Sequence, residues 1–349
     1  MCIEFGVAGL VTPCLHRTIR MAKLYVSIVV DWEGEHFRDL GDLHATRDAI
    51  QTSLGFTVPF THFICPTYWL QPQSAVAATA TIRNTLVKGD EVALHVHCWR
   101  ALIDAAEVDF ISTPDWNGDG TGHGVPLGAY GRNIQPILAC ARDLVQRRLG
   151  ATVHGFRCGG AMTSDGVYRA LMALGFRYDC SAFPPQLVSR GFSPSSRGTF
   201  RDTFGARNQI AAHLVDLWGH APSSNVESAN SLSLAAHGGG ITPMSQPYWV
   251  RAGQARLLEM PGNGGISDYA SASSMRKTFD ALLERASNGD SPLFFSIGCH
   301  QEGAGRWKKP LIEFCHERRR ELASSSVVVT TVAKAAKVAR NVLGVHVPE

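Results

Sequence analysis

The stretch Ile28-Val29-Val30-Asp31-Trp32-Glu33-Gly34 decides how this chain is read. An apolar run suited to a buried strand stops abruptly at two acids placed at i and i+2. A second stretch, Val92-Ala93-Leu94-His95-Val96-His97-Cys98-Trp99, repeats the arrangement with two histidines. Successive side chains on a strand point to opposite faces, so Asp31 and Glu33 project together, as do His95 and His97. Two such strand ends lying side by side would bring two carboxylates and two imidazoles into one pocket. That set suits a divalent metal with a position left open for water.

Strand-like and helix-like runs alternate outward from these two stretches. Strands are predicted over Leu24 to Val30, Thr57 to Cys65, Glu91 to Val96, Val153 to Phe156, Phe176 to Cys180, His213 to Trp218, Ser231 to Ala236, Ala255 to Met260, Leu293 to Ile297 and Ser326 to Thr331. Helices are predicted over Thr46 to Leu54, Ala75 to Val87, Asn133 to Leu149, Ser164 to Leu174, Ser273 to Ala286 and Leu311 to Ala323. Ser164 is placed as an N-cap, and Gly89, Gly150 and Gly175 as stops. The alternation predicts an α/β fold with a largely parallel sheet closed into, or close to, a barrel. Catalytic groups of such barrels sit at the C-terminal ends of the strands. Asp31, Glu33, His95, His97, Arg157 and His300 all fall there.

The chain has 349 residues, 45% hydrophobic and 18% charged, with a formal net charge of +3. That balance gives no electrostatic footprint for nucleic acid or a membrane surface. No apolar stretch reaches the ~18–20 residues that span a bilayer. Residues 1–20 lack the pattern of a secretion signal and are read as an N-terminal extension, disordered or docked. Residues 21–349 are read as one domain, with a lid loop near 107–131 and an irregular insertion near 183–255. Nine cysteines without framework spacing predict reduced thiols and a cytoplasmic protein. A homo-oligomer is compatible with the sequence.

The chemistry follows from residue types. Of two acids beside one metal, one can coordinate while the other accepts a proton. Two imidazoles at i and i+2 are metal ligands in this reading. Arg157, in Gly155-Phe156-Arg157-Cys158-Gly159-Gly160, can hold a carboxylate in bidentate fashion. His300 can act as general acid to a leaving amine. Trp32, Trp99, Gly159 and the loop residues Asp115, Trp116 and His123 are predicted substrate contacts, and Asp119 lies in the same loop. Trp69, Trp218 and Trp249 could stack on sugar rings, although core positions are commoner for such residues. His213, His220 and His237 read as ordinary polar positions with a small chance of lining the substrate cleft, and Asp268 and Tyr269 are similarly ambiguous.

The order acid pair, histidine pair, Arg157 with Gly160 three residues on, and a late strand ending in histidine resembles the polysaccharide deacetylase family, the NodB-like members of carbohydrate esterase family four. The resemblance covers most of residues 24 to 331, and firmly the motif segments. It implies a distorted (β/α)7-type barrel. It implies Asp31 as base, Glu33, His95 and His97 as metal ligands, Arg157 as the residue orienting the base, and His300 as catalytic acid. The Leu258-Glu259-Met260-Pro261 strand takes the place of the fourth motif. Three departures stand out. Trp32 separates acids that are adjacent in the family, the histidines are two apart instead of four, and Gly159 replaces a proline.

The implied reaction is metal-assisted amide hydrolysis: Asp31 takes a proton from water, His300 protonates the departing amine, and acetate leaves. The expected cofactor is a divalent ion, zinc above cobalt, nickel, manganese or iron. The expected substrate is an N-acetylated sugar or glycoconjugate small enough to meet a cytoplasmic enzyme. Two alternatives accompany this reading. One is another C–N hydrolase of allantoinase or imidase type on the same site, and the other is an inactive glycan-binding barrel.

Overall fold

The computed structural model describes residues 22–34, 37, 40–112, 125–184, 187, 240–303 and 305–344. Its centre is β1 (Leu24–Trp32), in which eight of nine residues are buried. A continuous apolar run of this kind belongs to a parallel sheet covered on both faces. Around it stand β2 (Phe60–Ile64), β3 (Glu91–Val96), β4 (Gly155–Cys158), β5 (Tyr178–Asp179), β6 (Tyr248–Ala252), β7 (Ala255–Glu259), β8 (Gly265–Ile266), β9 (Leu293–His300) and β10 (Val327–Val329). Among the described residues these form one sheet in the order β6-β7-β5-β4-β3-β2-β1-β9-β8. β10 pairs with the first residues of β1, on the edge whose later residues pair with β2. All pairings are parallel except β6 with β7. The protein is an α/β fold whose parallel sheet curls into a distorted (β/α) barrel.

The helices that cover the sheet are α1 (Leu40–Leu54), α2 (Ala75–Thr85), α3 (Arg100–Ala105), α4 (Ile134–Leu149), α5 (Asp165–Ala173), α6 (Ala272–Ser287), α7 (Gly305–Glu317), α8 (Arg319–Leu322) and α9 (Val332–Val342). Period-two alternation splits the β1 side chains between two cores. Ile28, Val30 and Trp32 join the larger core under the helices. Val29 joins a smaller core with Phe63, Ala93, Tyr178 and Leu258. Helix α9 supplies Val332, Ala335, Ala336 and Ala339 to that smaller core. It is fixed there by its first amides: Val332 N donates to Thr61 Oγ1 and Ala333 N to Glu91 Oε2, at 2.9 and 2.8 Å. A carboxylate at the positive end of a helix supplies both a cap and a favourable charge.

Most predicted elements occur near their predicted bounds. Ser164 caps α5 as expected, accepting from Val167 N. The structure adds α3, β6, β8 and α9. β6 is a regular strand inside the stretch 183–255 read as irregular. Leu127–Asn133, at the end of the predicted lid loop, is a 3-10 turn. The predicted strands at 213–218 and 231–236, the extension 1–20 and loop residues 113–124 lie outside the described residues.

The expectation that β1 and β3 run side by side is corrected. β2 lies between them. Strands stand about 4.8 Å apart, so the two ends are separated by roughly twice that distance. Side chains still meet because alternate strands of a barrel contribute to one interior layer. The close β1–β9 approach needs Gly298, where any Cβ would run into the Val29 carbonyl. It places Asp31 opposite His300 in register.

Candidate metal centre and active site

The site stands on the C-terminal ends of four strands. Asp31 is on β1, opposite Phe63 of β2 and His300 of β9. His95 on β3 is opposite Arg157 on β4. Beyond Trp32 the β1 ladder ends, and Glu33 turns its carboxylate toward β3. The Glu33 oxygens lie 2.6 Å from His97 Nε2, 3.6 Å from His95 Nε2 and 3.5 Å from His300 Nε2. One ligand atom each from Glu33, His95 and His97 falls within 4.8 Å of the others. Burial pushes the Glu33 carboxyl up, but the neighbouring imidazoles, His97 first, then His95 and His300, outweigh it and hold the group well below the usual range.

A metal fits these donors. His95 Nδ1 lies 2.9 Å from the Arg157 carbonyl oxygen. A carbonyl only accepts, so Nδ1 carries the proton and Nε2 the lone pair. That Nε2 is buried and has no hydrogen-bond partner. A bare lone pair in a dry site is costly, and a cation satisfies it. Two imidazoles and one carboxylate make a three-ligand set that leaves room for water and substrate, as catalytic zinc centres do.

Asp31, 4% exposed, faces a different partner. Arg157 Nη1 bridges both of its oxygens at 2.9 Å each. The guanidinium lies between the rings of Phe63 and Phe183, 4.5 and 5.0 Å from their centroids, and Nε donates to the Cys180 carbonyl. Burial works against the guanidinium charge, but Asp31 overrides it and raises the pKa. Arg157 therefore stays cationic and keeps Asp31 beside a fixed positive charge.

His300 is backed by Asp268. Asp268 Oδ1 accepts from His300 N at 3.2 Å and faces Nδ1 at 3.0 Å. Nδ1–H points at this acid, and Nε2 turns toward Glu33. Burial lowers the imidazole pKa, but Asp268 first, then Glu33 and Asp31, push it up to about 10.

Of the predicted substrate contacts, Trp32 faces away from Asp31, and Trp99 and Gly159 pack against the ligand residues Glu33 and His97. Trp32 is fully buried and points to the opposite face from Asp31, donating from Nε1 to His62 Nδ1 at 3.1 Å. Its place between i and i+2 dictates that face. Trp99 is buried too, and its Nε1 donates to the Glu33 carbonyl at 2.8 Å. Gly159 is buried against β3: a Cβ there would lie 2.7 Å from the Val96 carbonyl and 2.8 Å from His97 Nδ1. It makes room for the imidazole. Trp69 is buried, with its indole bonded to Thr79. Trp249 stands on the antiparallel β6 under Arg256. Asp115, Trp116, Asp119, His123, His213, Trp218, His220 and His237 lie outside the described residues. Glu259, in the segment matched to the fourth motif, is bonded by the Tyr168 hydroxyl and Ala182 N.

Sequence reasoning left Asp268 ambiguous and missed Glu302 and Tyr68. Glu302 Oε1 accepts from Glu33 N at 3.0 Å and from the Tyr68 hydroxyl. Position two after His300 was the available signal for Glu302; Tyr68 carries none.

No family model matches the sequence, and no curated protein matches it. Solved structures do. The crystal structure of Puue allantoinase aligns with a TM-score of 0.50 and 13% identity, over 94% of this chain and 93% of that one. A protein assigned as a polysaccharide deacetylase from Mycobacterium smegmatis aligns at 0.49 and 14% identity, over 94% and 96%. Another so assigned, from Pseudomonas aeruginosa PAO1, aligns at 0.48 and 11%, over 92% of both chains. At these identities the likeness concerns the fold.

Proposed function

We propose that this protein is a metal-dependent hydrolase that removes an N-acetyl group from an amino sugar or a glycosylated small molecule. The observation that carries the reading is the separation of duties around one point. Glu33, His95 and His97 converge with the His95 lone pair unspent. Asp31 is kept apart from them by its own arginine. When bound, a divalent ion, zinc by preference, polarises the amide carbonyl and acidifies water.

The chain's own residues supply the proton chemistry. Asp31 accepts a proton from the attacking water as its oxygen bonds to the carbonyl carbon. Arg157 holds both Asp31 oxygens and aims them. His300 gives a proton to the nitrogen as the C–N bond breaks, and Asp268 holds the opposite ring nitrogen so that Nε2 faces the leaving group. The products are acetate and a free amine. Trp99 and Gly159 set the positions of Glu33 and His97.

A second reading keeps the site and changes the bond: a ureide or cyclic amide C–N bond of the kind an allantoinase opens. The fold likeness to such an enzyme motivates it. Free cysteines throughout the described residues support a reducing compartment and hence the cytoplasm. No described helix is long and apolar enough to cross a membrane.

The test is a screen of N-acetyl amino sugars for free amine and of ureides for ring opening, with Asp31→Asn as control. Amine release from an acetamido sugar, reduced about 10²–10⁴-fold in Asp31→Asn, is expected. Ureide turnover alone would select the second reading, and turnover undiminished in Asp31→Asn would remove Asp31 from the mechanism.

A further inference from the structure

The strand ladder holds β1 up to Trp32. Gln301 N donates to the Asp31 carbonyl at 2.8 Å, and Cys65 N donates to the Trp32 carbonyl at 3.1 Å. At Glu33 the ladder has ended, and side chains take over. Trp99 binds the Glu33 carbonyl, and Glu302 Oε1 takes the Glu33 amide. Both main-chain polar groups of the residue that would ligate the metal are thus bracketed by side chains from distant parts of the chain.

Glu302 is itself held. Lys308, fully buried on α7, donates from Nζ to the Gln301 and Gly303 carbonyls on either side of it. The Tyr68 hydroxyl donates to the same Glu302 oxygen that takes Glu33 N. Tyr68 is immobilised by stacking on Phe37, 4.3 Å between centroids, and by the edge of Trp32. The loop is therefore preorganised to present one acceptor oxygen to Glu33.

We propose that Glu302 is a positioning residue for the metal centre: its Oε1 fixes the Glu33 backbone, and through it the distance of the Glu33 carboxylate from His95 and His97. This rests on the reading of Glu33 as a ligand. The role needs an acceptor at the right reach, not a negative charge, and this separates two conservative variants. Glu302→Gln keeps an acceptor oxygen at the same chain length. Glu302→Asp keeps a carboxyl group and falls one methylene short.

The experiment measures the zinc dissociation constant of the full chain by competition with a chromophoric chelator, and the thermal midpoint of each metal-free variant. Glu302→Gln should bind zinc as the wild type does. Glu302→Asp should bind about tenfold or more weakly, as expected when an outer partner of a ligand is lost. The metal-free midpoint of Glu302→Asp should stay near that of the wild type, because the effect is on geometry at the site. Wild-type affinity in Glu302→Asp, or equal weakening in Glu302→Gln, overturns the proposal. Should Glu302→Asp fail to fold, Tyr68→Phe withdraws a donor from Glu302 without touching Glu33. Weaker zinc binding in it supports the proposal, and unchanged binding overturns it. Glu33→Gln and His95→Ala distinguish the deeper failure: if they bind zinc like the wild type, the centre itself is misassigned and this inference falls with it.

Discussion

Arg157 and Asp31 form a pair in which each carries the other's burial. Arg157 is 1% exposed, and its second terminal nitrogen, Nη2, makes no hydrogen bond. Removing the arginine leaves a carboxylate stranded in a dry site, so Arg157→Met should lower unfolding free energy by about 3–5 kcal/mol. Denaturant titration checks this. A loss under about 1 kcal/mol would mean that the pair behaves like an exposed one. The pairs at i and i+2 were legible because they continue the alternation of β1 and β3, although Glu33 and His97 stand one residue past the strand ends, and the same rule puts Trp32 on the far face. Glu302 and Tyr68 were not legible. Their meeting depends on a contact across 234 residues, which no local pattern encodes.

The elements next to the site carry their own polar anchors. Glu91 on β3 accepts from Ala333 N, Thr61 Oγ1 and the Tyr178 hydroxyl. It ties α9 to the inner core. Glu91→Ala removes a helix cap and leaves donors unpaired, at a cost of about 2 kcal/mol by denaturant unfolding. An unchanged midpoint would contradict the anchoring. A second anchor joins α1, β1 and β2. Arg47 pairs with Asp90 at 2.8 Å, and His62 lies 3.2 Å from Asp90 while accepting from Trp32 Nε1. Burial lowers the His62 pKa, although Asp90 opposes this. Burial raises Asp90, but bonds from His62 and Arg47 outweigh it and depress the carboxyl.

Both groups release protons more readily when folded, so both contribute stability that is lost as pH falls. The His62 share fades first, below its ordinary pKa of about 6.5, and the Asp90 share fades below about 3.9. Thermal midpoints of the wild type and His62→Gln, compared from pH 8 to pH 5 as a span about the histidine range, should diverge in slope. The variant should show the flatter curve, and parallel curves would count against the buried neutral imidazole. The strands were legible from apolar runs. Helix α9 has clear periodicity, with Val332, Ala335, Ala336 and Ala339 on one buried face, but it follows the apolar run at 326–331 directly, with no turn residue between to mark its start. β6 follows a stretch without pattern and escapes notice for that reason.

At the scale of the whole molecule, the barrel explains why residues from Asp31 to His300 can serve one point. The barrel class was readable from the βα alternation. The strand order was not, because alternation does not say which strand lies between β1 and β3. The interposed β2 supplies Phe63, on whose ring Arg157 rests as it reaches Asp31 from β4. A metal held by Glu33, His95 and His97 would link β1 to β3 across that strand, so binding should raise stability as well as enable chemistry.

The central claim is the metal centre, and elemental analysis after zinc loading and exhaustive dialysis tests it most directly. The account predicts about one zinc per chain in the wild type, the stoichiometry of a single three-ligand site, and loss of that zinc in His95→Ala and His97→Ala. Metal-free wild type, or zinc retained undiminished in both variants, would contradict it.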